Sequence, residues 1–317
     1  MTNHNQSQKE EKRWSILPIK HIDLWDRYKK AQKQNWVAEE IDLSEDRFSE
    51  LSEKEQVYLK NLLAFFSISD GIVIENLALN FLREVDIPEA QYFYMFQAAI
   101  ECVHAHMYGL LVDTYIKDLV EKDAMFNAVS KMKTVADKAN WAIKWIESPS
   151  FEERLVAFAC VEGIAFSSTF AGIFWYRSRN KMLGLGRANE LILLDENTHY
   201  EFANHLYKNY VPNSNKLDQA RVREIILECC TVEEIFVNES MPEGLDGLTK
   251  DQMIQYVRYT TDTVLMDFDC EPEFNVQNPL DYMARIALGR RGNFFEGRGN
   301  NDYTEIEISG DIYSGDF

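Results

Sequence analysis

Asp70 and Glu162 each stand inside a long apolar run, Leu-Ala-Phe-Phe-Ser-Ile-Ser-Asp-Gly-Ile-Val around the first and Val-Ala-Phe-Ala-Cys-Val-Glu-Gly-Ile-Ala-Phe around the second. A carboxylate on a buried face is strongly unfavourable unless it is protonated, paired or bound to metal. No Lys or Arg lies within one helical turn of either residue along the chain. Whatever fold the chain adopts must therefore bring partners to two buried acids.

The runs themselves read as helices. From Ser52 onward apolar residues recur with a period near 3.6, and strand alternation is nearly absent. Gly (14) and Pro (7) are scarce in 317 residues, so turns are few and elements long. Ser52 with Glu55, Ser150 with Glu153 and Thr249 with Gln252 have the spacing of capping boxes. The pattern predicts helices near 53–85, 88–116, 123–147, 151–180, 186–210, 217–240 and 249–267, with a short one near 278–288. Breakers such as Asp86-Ile87-Pro88, Ser148-Pro149-Ser150, Gly184-Leu185-Gly186 and Pro242-Glu243-Gly244 separate them. Gly184 and Gly186 follow a helix and lack the third glycine of a dinucleotide fingerprint, which argues against nucleotide binding. Residues 1–18 read as a disordered arm, 19–289 as one helical domain, and 290–317 as a mobile acidic tail.

Lys and Arg total 33 against 52 Asp and Glu, a formal net charge of -19 that repels phosphate backbones and anionic membrane surfaces. Neither nucleic acid nor membrane is an expected partner. The amino terminus has no apolar leader, and no uncharged apolar run approaches about 18 residues, so a soluble, cytoplasmic protein is expected. The five cysteines form no CxxC pair. Four lie in helix-like sequence and read as small buried thiols, so neither disulfides nor a thiolate metal site is expected.

Two helices repeat one tetrad: Glu101-Cys102-Val103-His104 and Glu196-Asn197-Thr198-His199. Residues three apart share a helical face, so each tetrad can aim one oxygen and one nitrogen at a common point. Asp70, Glu101, Glu162 and Glu196 together carry four negative charges, and two divalent cations would cancel them; uncancelled, the acids would raise one another's pKa. One acid from each of two helices plus Glu-x-x-His from each of two others is the donor pattern of ferritin-like di-metal bundles. Carboxylates with two imidazoles and no thiolate favour Fe or Mn over structural zinc, and calcium has no use for imidazole.

With these residues in place, the chain resembles the small, radical-generating subunits of class I ribonucleotide reductase, from about Trp14 to Phe317. The resemblance is most specific in Asn35-Trp36-Val37-Ala38-Glu39-Glu40-Ile41-Asp42, Ser69-Asp70-Gly71-Ile72-Val73-Ile74-Glu75-Asn76, Glu101 through Tyr108, Val161-Glu162-Gly163-Ile164 and Asn293-Phe294-Phe295-Glu296. The eukaryotic and viral type is most similar. The resemblance implies an all-α, ferritin-like bundle and a homodimer. Asp70, Glu101 and His104 would hold one metal and Glu162, Glu196 and His199 the other, with carboxylates bridging two Fe ions per chain or a Mn pair. It also implies that the oxidising equivalent serves ribonucleotide reduction, and so deoxyribonucleotide synthesis, on a large subunit docked through the acidic tail.

Tyr108 matches the family's radical tyrosine, and its spacing from Glu101 and His104 puts it on their face. Phe166, Phe170 and Ile192 match the apolar shell around that radical. Trp36, Asp195 and His104 match an electron relay that continues to the large subunit through Tyr303, for which Tyr313 is a nearby competitor. Glu296 matches a glutamate that supports proton movement at the subunit interface. One departure stands out: Leu193-Leu194 precede Asp195 where many relatives place Ser-Arg, removing a cation beside the relay. A stand-alone di-metal oxidase of the same fold would not need the tail, and a structural or metal-storing paralogue would not need four buried acids.

Overall fold

The computed structural model describes residues 13–284. Among the described residues nine main helices carry the fold: α1 (Ile22–Lys33), α2 (Glu53–Asn76), α3 (Pro88–Tyr115), α4 (Lys133–Ile146), α5 (Phe151–Cys160), α6 (Ser167–Ser178), α7 (Leu183–Tyr210), α8 (Gln219–Ser240) and α9 (Lys250–Asp267). Among the described residues there is no strand, only an isolated bridge between Leu245 and Leu248. The all-helical expectation therefore holds.

Capping chemistry sets several of the helix starts. Ser52 and Thr249 form reciprocal capping boxes with Glu55 and Gln252. At Ser150 only half of the box forms: its hydroxyl takes the Glu153 amide, while the Glu153 carboxylate turns to the Ser148 hydroxyl (2.7 Å) and Arg221 (2.7 Å). The expected helix over 123–147 is divided into Leu119–Phe126, Ala128–Lys131 and α4. Asp118 caps the first of these earlier than expected, and the Asn127 side chain bonds back to the Asp123 carbonyl (2.8 Å), competing with helix continuation. Helix α1 was not expected. Its Leu24, Tyr28 and Ala31 form a helical stripe that packs on α3. Arg13 pairs with Glu89 of α3, so the end of the stretch read as an arm is tied to the bundle; of the short helix expected near 278–288, residues 281–284 are helical, while residues 285–288, like residues 1–12, lie outside the described residues.

Two long helical stretches pass through π turns, Leu77–Phe81 after α2 and Val161–Ala165 between α5 and α6. The segments Glu53–Glu84 and Phe151–Ser178 are apolar and long enough to cross a membrane, which sequence reading did not anticipate, but 56% and 89% of their most apolar windows are buried inside the protein. They are the core. Helices α2 and α3 make the largest helix pair, and α7 packs on α5, α6 and α3. Gly172 permits the close approach of α6 to α2, since a Cβ there would stand 2.5 Å from the Tyr58 hydroxyl. Of the cysteines expected to be buried, Cys102 is instead exposed on α3; none of the five is in a disulfide.

Candidate metal centre

The four segments that carry the sequence-predicted acids converge at the middle of the bundle. Asp70 comes from α2, Glu101 and His104 from α3, Glu162 from the π turn before α6, and Glu196 and His199 from α7. All six are buried, none more than 5% exposed. Their donor atoms fall into two groups, Asp70-Glu101-His104 and Glu101-Glu162-Glu196-His199, each with its ligand atoms within 4.8 Å of one another. Glu101 belongs to both.

Each tetrad folds as its spacing requires. His104 Nδ1 lies 3.1 Å from Glu101 Oε2 and 3.1 Å from Glu196 Oε1. His199 Nδ1 lies 2.8 Å from Glu196 Oε2 and 3.0 Å from Glu101 Oε1. Both imidazoles thus turn Nδ1 inward, between the same two carboxylates. On its other side His104 Nε2 meets Asp195 Oδ2 at 3.0 Å, and Trp36 Nε1 donates to that same oxygen at 2.9 Å. A ring nitrogen held by an outer carboxylate is the usual support of a ligating histidine.

Among the described residues no Lys or Arg forms an ion pair with any of the four carboxylates, whose only basic partners are the two imidazoles. Asp70 Oδ2 and Glu162 Oε2 are buried without a hydrogen-bond partner, as is Glu101 Oε1 apart from its approach to His199. Burial, and then the charge of Glu101, pushes Asp70 well above the usual carboxylate range; burial, and then Glu196 and Glu101, does the same to Glu162. Burial works against charging the imidazoles, yet Glu196, Asp195 and Glu101 drive His104 up, and Glu101 and Glu196 raise His199 to about 9. Glu196 is held low despite burial by the two imidazoles. Orphaned acceptors, four converging acids and two inward nitrogens fit a pair of hard-to-borderline divalent ions.

A pH dependence follows. Groups whose pKa is raised by folding stabilise the fold below their ordinary pKa and lose that contribution as pH rises through the folded value. For His199 the loss falls between 6.5 and about 9, and Asp70 and Glu162 add to it in the same direction. The chelator-treated protein should therefore melt at progressively lower temperature from pH 6.5 to 9, while metal uptake should release protons and tighten over the same interval. A melting temperature flat across that interval would contradict the assigned shifts.

Tyr108 ends one turn beyond His104, buried, with no hydrogen-bond partner for its hydroxyl among the described residues. Phe66 stacks on it (centroids 4.5 Å apart, planes 17°), while Phe166 and Phe170 meet Phe66 at 5.4 and 5.0 Å. Ile192 is buried on α7. Sequence reading named Phe166 and Phe170 but missed Phe66, although it lies four residues before Asp70 and so shares that face. It also missed Gln97, whose side-chain amide donates to Glu162 Oε1 (3.4 Å). Glu296, Tyr303 and Tyr313 lie outside the described residues.

Comparison with known proteins agrees with this geometry. The family described as "Ribonucleotide reductase, small chain" matches residues 13–279. The ribonucleoside-diphosphate reductase small chain of Yaba-like disease virus is 47% identical over 302 residues, 93% of this chain and 91% of its own length. That of Spisula solidissima is 45% identical over 291 residues, 90% of this chain and 75% of its own length. The solved ribonucleotide reductase Rnr4 homodimer from Saccharomyces cerevisiae superposes with a TM-score of 0.78 at 28% identity, covering 90% of this chain and 91% of that one.

Proposed function

The chain belongs to the family of ribonucleotide reductase small chains, and from that membership we propose how its own residues perform the family's task. It is the small subunit of a ribonucleoside-diphosphate reductase, a ferritin-like protein with a dinuclear metal site, and its role is to generate the radical used in ribonucleotide reduction. We assign Asp70, Glu101 and His104 to one ion and Glu162, Glu196 and His199 to the other, with Glu101 shared. Iron is the proposed occupant of both positions; the oxygen-rich donor set suits a manganese pair as well. When bound, the ions supply the oxidising equivalent.

Tyr108 stores that equivalent by giving up one electron and its phenolic proton. Burial, and then the charges of Asp70, Glu196 and Glu101, hold the phenol well above its ordinary pKa, so proton and electron leave together, the proton to that carboxylate cluster. Phe66, backed by Phe166 and Phe170, keeps water and reductants from the ring. The observation that carries the reading is the exit from this closed cluster: His104 reaches Asp195, and Asp195 reaches Trp36, whose ring lies 5.9 Å from the imidazole at 27°. A buried oxidant with a bonded path outward suits export of a radical better than oxidation of a substrate held at the metals.

The remaining assignments concern partners. Residues 302–317 hold five acidic and no basic residues together with Ile306, Ile308, Ile312, Tyr313 and Phe317, a composition suited to a groove on the large subunit. In this scheme Tyr303 continues the relay and Glu296 assists proton movement at that contact. A second copy of the chain covers the row Tyr92, Met95, Ala99 and Cys102 exposed on α3, in a cytoplasmic homodimer. The test pairs the metal-loaded protein with a large subunit. The full chain should support reduction of ribonucleoside diphosphates, and a chain ending at Gly299 should keep its ions and radical signal but fall to background activity. Full activity of the shortened chain would remove the tail from the scheme and favour the stand-alone oxidase.

A further inference from the structure

The π turn that carries Glu162 is held from behind by groups that do not reach the metal centre. Turns of this kind are rare and gather at functional sites. This one spans Val161–Ala165 and closes through the Phe166 amide on the Val161 carbonyl (3.2 Å). At its upstream end the Cys229 thiol of α8 points to the Cys160 carbonyl at 3.6 Å. At its downstream end Lys138 of α4 donates to the Ala165 carbonyl at 2.6 Å. Glu233 of α8 accepts the Ser168 amide at 3.2 Å and the Ser168 hydroxyl, capping α6 as it restarts after the turn.

Lys138 and Glu233 are themselves an ion pair at 2.7 Å, with side chains 1% and 0% exposed. The Lys138 ammonium also sits between the rings of Phe65 and Phe236, 3.5 and 3.9 Å from their centroids. Burial draws Lys138 down and Glu233 up, each toward its neutral form, and their mutual attraction opposes both shifts. Such a pair is a poor source of stability, since apolar residues of equal volume often do as well. What it supplies is a fixed geometry. We propose that Lys138 and Glu233 form a positioning latch that fixes the 161–165 turn and so sets where Glu162 presents its carboxylate. The inference rests on the assignment of Glu162 as a metal ligand.

The double variant Lys138→Met with Glu233→Gln removes both charges at nearly constant volume. Cobalt(II) is the probe, because its visible absorption reports ligand number and geometry. In the full chain the metal-free melting temperature should stay close to that of the parent. Cobalt should bind roughly 10- to 100-fold more weakly at one of its two positions, with an altered spectrum, as expected when a support of a ligand is lost. Parental affinities and spectrum in the double variant overturn the latch. If the double variant does not fold, Ser168→Ala, which keeps the ion pair and removes one donor to Glu233, is expected to shift the same band by less; an unchanged spectrum there also overturns it. Glu162→Ala is measured alongside. If it binds two cobalt ions with parental affinity, the ligand assignment has failed; if it loses one while the double variant behaves like the parent, the latch alone has failed.

Discussion

Tyr108→Phe is expected to leave the helices and the two-ion content of the chain intact while turnover with the large subunit falls to background. The phenol oxygen is buried with no hydrogen-bond partner among the described residues, so its removal breaks no bond. Deleting an unsatisfied buried hydroxyl is neutral or stabilises by about 1 kcal/mol. The ring remains stacked on Phe66, and the packing of Phe166 and Phe170 behind it is unchanged. What disappears is the only oxidisable hydroxyl in the assigned store. Electron paramagnetic resonance should lose its tyrosyl signal while melting temperature and metal analysis match the parent. Retained turnover would move the stored oxidant onto the ions themselves. That alternative has a structural motive here: Leu194 stands where the family resemblance implies an arginine, and among the described residues no Lys or Arg pairs with Asp195.

The cluster of four acids and two imidazoles was legible in the sequence because two of the acids broke a local rule and the other two stood in a repeated tetrad. Asp70 and Glu162 violate apolar patterning, and the tetrads place their donors by helical spacing alone, so convergence of four helices was an arrangement that satisfied all of them at once. Helix α1 was harder to see. Only Leu24 and Ala31 of its twelve residues are buried, and its stripe acquires meaning only from α3, which lies far along the chain. The π turn at Val161–Ala165 has no local signature, since its residues are those of an ordinary apolar helix; its supports Lys138 and Glu233 come from two other helices. Lys138 reads in sequence as one more solvated lysine of an amphipathic helix. Its burial between Phe65 and Phe236 is a tertiary fact. Phe66 is a different kind of omission, because the i, i+4 relation to Asp70 was available and unused.

Trp36→Phe separates the making of the radical from its delivery. The indole nitrogen donates to Asp195 Oδ2, which also meets His104 Nε2, so the substitution removes one of the two partners of that oxygen and leaves the imidazole contact in place. Losing a hydrogen bond to a buried carboxylate costs about 1–3 kcal/mol of stability. Through His104 the change should weaken metal binding by no more than about tenfold, the lower end of what outer supports contribute. Delivery is affected differently, because phenylalanine offers neither an N–H to Asp195 nor an easily oxidised ring at the 5.9 Å stacking distance from His104. The variant should therefore bind two ions and, when the oxidising equivalent is generated with an electron donor supplied in solution, still show the Tyr108 signal, yet turn over at background with the large subunit. Two other outcomes count against the scheme. Loss of ions together with activity would make Trp36 a support of His104 only, and full turnover with intact ions would show that the electron reaches the centre by another route.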